Sequence, residues 1–159
     1  MLIATRSGKI NISKEKDTRL VAERLSKLIN LGDFILLTGN LGVGKTTFTK
    51  YIINSLQRIN RQAISEVPSP TFNITNEYQI KKILIKHYDL YRIKNEKELN
   101  NLGIQENLKK QITLVEWPEM VKKLKIKNII SLIFKYNKNY TERYLTIIST
   151  NKKIMNEFK

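Results

Sequence analysis

The run Phe34-Ile35-Leu36-Leu37-Thr38-Gly39-Asn40-Leu41-Gly42-Val43-Gly44-Lys45-Thr46-Thr47 decides how the rest of the chain is read. It opens on a continuous apolar stretch between Asp33 and Thr38-Gly39, the pattern of a strand buried on both faces of a parallel sheet. Gly39 to Thr46 then match G-x-x-x-x-G-K-[ST] in full. Behind the loop, Phe48, Ile52, Ile53 and Leu56 recur at helical spacing and predict a helix over 45–56. Strand, glycine-rich loop and helix in this order are the context in which such a loop binds phosphate. Glycines let the backbone wrap closely, its N–H groups point at the β-phosphate, and the helix start adds the positive end of its dipole. Lys45 brings a point charge to the β/γ-phosphates and the Thr46 hydroxyl a ligand for Mg2+. Gly39, Asn40, Leu41, Gly42, Val43, Gly44, Lys45, Thr46 and Thr47 are therefore the expected ATP-binding segment.

Upstream, Ser13 is the expected N-cap of a helix with Glu15 and Asp17 in its first turn. Its apolar side takes Leu20, Val21, Leu25, Leu28 and Ile29, and Gly32 stops it. Residues 2–5 and 10–12 read as short edge strands turned at Gly8-Lys9. Downstream, Val67-Pro68-Ser69-Pro70 must be extended, because each proline fixes its own φ and pushes the residue before it out of the helical region. Residues 72–80 and 83–91 read as an antiparallel hairpin closing at Lys81-Lys82. Asn95 caps a short helix to Leu102, ended by Gly103. Residues 112–115 form a second continuous apolar strand, and Pro118 starts a helix over 119–124. Residues 129–136 and 144–149 are a closing pair of strands, and the tail from Asn151 is a short, frayed helix. No repeat or Gly/Ser-rich linker divides the chain. The expected fold is α/β, a single P-loop NTPase-like domain over 1–159, with a central mixed sheet of largely parallel core flanked by helices.

A chain of 159 residues with 41% apolar content can close one sizeable core. The balance of 29 Lys+Arg against 14 Asp+Glu, a formal charge of +15, excludes a membrane-embedded or acidic disordered chain. That charge suits contact with nucleic acid. It is also lopsided, with 22 Lys and 7 Arg beside abundant Asn and Ile, which is what an A/T-rich genome writes at permissive surface positions. The absence of cysteine excludes disulfides and thiolate metal sites. No apolar run approaches the roughly 20 residues that span a bilayer, and the N-terminus lacks the apolar core of a signal peptide. A cytoplasmic protein without membrane contact is the expectation.

A Mg-nucleotide site needs a carboxylate at a neighbouring strand end, because Mg2+ prefers oxygen ligands and keeps several waters. Glu116, ending the second apolar run, and Asp89, in His87-Tyr88-Asp89-Leu90-Tyr91, both fit; the plain alternative is a solvated strand-end charge. Ser69-Pro70-Thr71-Phe72 displays two hydroxyls where loops that sense a γ-phosphate usually lie, and would otherwise be an ordinary proline turn. The lone His87 reads as a packed, hydrogen-bonded structural residue. Trp117 suits either stacking on a base or partner, or the core.

With those blocks in view, the chain resembles the TsaE (YjeE) family, P-loop ATPases of tRNA threonylcarbamoyladenosine synthesis. Gly39 to Thr47 is similar to the family's G-D-L-G-A-G-K-T-T, and Ser69-Pro70-Thr71-Phe72 with Asn76-Glu77-Tyr78 to S-P-T-[YF]…[NE]-x-Y. His87-Tyr88-Asp89-Leu90-Tyr91-Arg92 resembles H-F-D-L-Y-R, and Leu114-Val115-Glu116-Trp117-Pro118-Glu119 resembles L-[IV]-E-W-P-[EQ]. The resemblance implies a weak ATPase that joins the TsaD and TsaB proteins, which carry threonylcarbamoyl transfer to the adenosine at position 37 of tRNAs reading codons that begin with A. It implies that Lys45 holds phosphates, that Thr46 and Glu116 carry Mg2+, that Thr71 belongs to a switch loop, and that Asp89 is needed for turnover. It places the segment from Ser13 to Thr18 near the adenine and makes Arg143 a candidate on the nucleotide or tRNA side. Asn40 stands where the family has an acid.

Three rival readings are weaker on the residues alone. A small-molecule kinase commonly needs lid arginines, and no arginine cluster follows the phosphate-loop helix. A GTPase is expected to carry N-K-x-D, and Asn137-Lys138-Asn139-Tyr140 lacks the acid. A plain nucleic-acid module leaves the phosphate loop unexplained.

Overall fold

The computed structural model describes residues 4–159. Eight strands form one sheet: β1 (Thr5–Arg6), β2 (Ile10–Asn11), β3 (Phe34–Thr38), β4 (Thr75–Ile80), β5 (Ile83–Asp89), β6 (Gln111–Glu116), β7 (Ile129–Tyr136) and β8 (Arg143–Ser149). The order across it is β1-β8-β7-β3-β6-β5-β4, with β2 also on β8. The central block β7-β3-β6-β5 is parallel, and the strands outside it are antiparallel, so the expected mixed sheet with a parallel core is what forms.

Strand β3 explains its own composition. Ile35 and Leu37 enter a large core under the helices α1 (Glu15–Ser26) and α2 (Lys45–Ile59). Phe34 and Leu36 point the other way, into a second core with Tyr88, Leu90, Val115 and Leu99 of α3 (Glu96–Asn101). A strand covered on both faces has no solvent side, hence no polar alternation. The last helix, α4 (Lys152–Glu157), closes the first core with Ile154 and Met155.

Several details depart from the sequence expectation. The N-cap of α1 is Lys14, without a side-chain hydrogen bond, because the Ser13 hydroxyl instead accepts the backbone N–H of Arg143. Leu20 is 55% exposed, since the buried face of α1 runs through Thr18, Val21, Ala22 and Leu25, about 100° away per residue step. The helix ends at Ser26, ahead of Leu28, Ile29 and Gly32. Gly8-Lys9 does not turn a hairpin; β1 and β2 both run antiparallel to β8, and residues 7–9 bulge between them. Buried Ser7 stitches the bulge by accepting the Ile147 N–H on its hydroxyl. The proposed strand at 2–5 falls partly outside the described residues.

After Pro118 there is only a 3-10 turn, Val121–Lys123, in place of a helix over 119–124. The tail is not frayed: Asn151 caps α4, Phe158 is buried, and Arg24 donates to the Glu157 carboxylate and backbone. The hairpin at Lys81-Lys82 does form, with Lys81 itself taking the left-handed conformation, φ 50°.

Phe48 of α2 meets Phe134 of β7 edge-on, with ring centroids 5.5 Å apart, and both are buried under the phosphate loop. Phe48→Ala is expected to destabilise the chain by about 3–5 kcal/mol, read by urea unfolding as a lower midpoint at constant slope.

Candidate nucleotide site

The parallel register sets the site. Leu37 lies beside Glu116, and Asp89 beside the same Glu116, so β3, β5 and β6 end side by side. Carboxyl ends of parallel strands are where open α/β sheets bind their ligands. The chain leaves β3 into the loop 39–44, in which Gly42 (φ 74°) and Gly44 (φ 109°) adopt conformations that a Cβ would strain. Helix α2 starts at Lys45, directly after Gly44. Leu41, Gly42, Gly44, Lys45, Thr46 and Thr47 line one side of a cleft of about 200 Å3, and Ser69, Thr71, Asp89, Glu116 and Trp117 line the other. Of the residues singled out for this chemistry, Leu41, Gly42, Gly44, Lys45, Thr46, Thr47, Thr71, Asp89 and Glu116 line this cleft, while Gly39, Asn40 and Val43 do not.

Lys45 is 4% exposed. Its ammonium donates to the carbonyls of Gly39 (2.7 Å) and Asn40 (3.0 Å) and stands 4.0 Å from the centroid of the Trp117 ring. Among the described residues no carboxylate reaches it as an ion pair. Burial holds its pKa below the ordinary lysine value, while the more distant Glu116, Asp89 and Glu119 pull the other way.

Glu116 is 3% exposed and used at both oxygens. Oε2 accepts from the Thr46 hydroxyl at 3.0 Å, and Oε1 is 2.9 Å from His87 Nε2. A carboxylate only accepts, so Nε2 carries the proton in this pair, leaving buried Nδ1 without a partner. Asp89 accepts from Thr71 Oγ1 on one oxygen (3.3 Å) and from the backbone N–H of Tyr91 on the other (3.0 Å). Thr71 Oγ1 is also 2.6 Å from the Ser69 hydroxyl. The loop is pinned from behind, since Ile74 donates to Pro70 O and the Asp89 N–H donates to Ile74 O.

A hard divalent cation beside a polyphosphate fits this donor set. A hydroxyl and a carboxylate oxygen lie together, and a buried ammonium lacks an anion. Beside the cleft, a second hollow of about 170 Å3 is lined by Ile12, Glu15, Thr18, Val43, Gly44, Thr47 and Arg143. It brings the expected adenine-side segment and Arg143 to the back of the phosphate loop. Arg143 is held there by donating to Ser13 O at 2.8 Å.

Three contacts escaped the sequence reading. His87 touches Glu116; the signal was available, because H-x-D puts His87 and Asp89 on one face of a strand next to Glu116. Trp117 covers Lys45 from a left-handed backbone, φ 56°, which nothing in its sequence neighbourhood announces. Tyr136, far along the chain, donates its hydroxyl to Gly42 O at 3.0 Å.

The fold and cleft define a P-loop NTPase-like α/β protein. The crystal structure of Bacillus subtilis YdiB superposes with a TM-score of 0.69, covering 98% of this chain and 90% of that one at 23% identity, which speaks to the fold. The family model for the threonylcarbamoyl adenosine biosynthesis protein TsaE matches residues 12–145, and the chain belongs to that family. The tRNA threonylcarbamoyladenosine biosynthesis protein TsaE of Rickettsia conorii is 35% identical over 141 residues, 89% of this chain and 78% of that protein. That of Rickettsia felis is 38% identical over 113 residues, 71% of this chain and 64% of that protein.

A phosphate held by Lys45 would need its charged form, and burial lowers the lysine pKa, so ADP affinity is expected to fall as pH rises, starting below the ordinary lysine range. Lys45→Arg should flatten that decline. Dissociation constants for ADP across that range, for both proteins, check the sign.

Proposed function

We propose that the chain binds ATP with Mg2+ in the cleft at the ends of β3, β5 and β6, and hydrolyses it slowly on its own. The observation that carries this reading is the meeting of Lys45 and Thr46, at the start of α2, with Asp89 and Glu116, at the ends of β5 and β6, around one polar cleft. The Gly39–Thr47 loop and Lys45 hold the phosphates, and Thr46 with Glu116 holds the metal, Glu116 through water because its oxygens are already engaged. A bound Mg2+ would supply charge neutralisation at the transferred phosphoryl group. Thr71 reports the γ-phosphate end to Asp89, which positions the attacking water; the adenine lies toward Thr18 and Arg143.

The chain acts as a single domain over 1–159 in the cytoplasm, as the ATPase subunit for threonylcarbamoyl modification of the adenosine at position 37 in tRNAs that read codons beginning with A. Its partners are TsaD and TsaB, which carry the transfer, and tRNA is met through that assembly. Membership of the TsaE family supports the pathway. Slow intrinsic turnover is supported by the lining of the cleft, which among the described residues includes no arginine to neutralise a transition state.

ATP hydrolysis is expected to be slow for the chain alone and to rise when the TsaD–TsaB pair and tRNA are added. Lys45→Ala and Glu116→Ala should each lose about a hundredfold or more of the stimulated rate. Equal rates with and without the partners, or phosphate delivered to a small molecule, would overturn the reading.

A further inference from the structure

The sheet carries a second chemically distinct surface, at its β8 edge. Lys135 lies opposite Tyr144 and Ile133 opposite Thr146 in the β7–β8 ladder, and Arg6 lies opposite Ile148 across the β1–β8 pair, so these side chains share one face. Leu145, Ile147 and Phe134 alternate to the other face, into the core under α1 and α2. The second core stops short of this edge, being built on β3, β5 and β6. What is left uncovered is a hollow of about 470 Å3 whose lining includes Arg6, Lys9, Lys135, Lys138, Tyr136 and Tyr144.

All four cations are exposed, and among the described residues none is in an ion pair. Glu142 is the nearby carboxylate, and it is occupied as acceptor for the Tyr144 hydroxyl (2.9 Å) and the Asn137 amide (3.3 Å). Tyr140 and Tyr136, with rings 5.3 Å apart, lie on the phosphate-loop side of the sheet, so Tyr144 is the ring on this face.

We propose that this open sheet face binds RNA, its four cations following the phosphate backbone and the Tyr144 ring stacking an unpaired base. Cations beside an aromatic ring, Lys135 directly opposite Tyr144, suit single-stranded or looped nucleic acid, whose bases are free to stack; an acidic protein segment would leave the ring unused. The choice of RNA rests on the proposed role in tRNA modification.

The test is fluorescence anisotropy of a labelled tRNA with the full chain, against Lys135→Glu/Lys138→Glu and, as control, Lys109→Glu/Lys110→Glu, which makes the same charge change at the start of β6. Retained ADP binding checks that each variant is folded. The face predicts at least about a tenfold loss for the first pair, under about threefold for the control, and a log affinity–log salt slope shallower by about two for the first pair. Tyr144→Leu should weaken a single-stranded oligoribonucleotide several-fold without changing the salt slope. Equal losses in both charge-reversed proteins would make the +15 charge a diffuse property and overturn the proposal. So would absent binding by the unmodified chain, or duplex DNA binding as tightly as tRNA. Stimulation of ATP hydrolysis by TsaD–TsaB is read separately on the same proteins; if it persists while the RNA result fails, only the surface falls.

Discussion

Glu116 is fixed from two sides, with the Thr46 hydroxyl on one oxygen and the His87 ring on the other, at the end of a strand paired in parallel with both β3 and β5. The rest of the site depends on that arrangement. Thr46 begins the helix that the phosphate loop feeds, and His87 sits two residues before Asp89, so one carboxylate ties the loop, the helix start and two strand ends together. A buried carboxylate is costly unless its lone pairs are taken. Here both oxygens have a hydrogen-bond partner. The cluster as a whole is left with an ammonium, Lys45, that has only carbonyl partners.

That imbalance gives the cleft its chemical direction. An ammonium that is buried, depressed in pKa and capped by an aromatic ring is a poor structural element and a good receptor for an incoming polyanion. The loop carbonyls that Lys45 contacts belong to Gly39 and Asn40, so in the proposed ATP complex a phosphate would compete with them for the ammonium. The Ser69–Thr71 segment is held at the opposite wall of the cleft. Thr71 reaches Asp89 by a long 3.3 Å bond, while backbone bonds from Ile74 and Asp89 hold the turn behind it.

Much of this was legible in the sequence because the strongest signals were local. The phosphate loop, the uninterrupted apolar runs of β3 and β6, and the hairpin β4–β5 each follow from a short pattern whose physics is complete within a few residues. Asp89 and Glu116 were singled out because strand ends beside such a loop are where a carboxylate is needed, and both line the cleft. What stayed hidden depends on partners distant in the chain. Ser13 gave up its expected cap for Arg143, Leu20 lost its place on the buried face to Thr18, and the tail became ordered because Arg24 and the core receive it. Trp117 and Tyr136 reach the loop only through the three-dimensional fold, and no spacing rule brings them there.

The most direct test of the nucleotide cleft uses the one tryptophan. Trp117 emission is followed while ATP is titrated with and without Mg2+, in the unmodified chain and in Lys45→Ala. A saturable change that tightens with Mg2+ and disappears in Lys45→Ala is expected, because phosphates draw the ammonium away from the ring it now covers. An unchanged emission, or the same curve in both proteins, would contradict the assignment of this cleft to ATP.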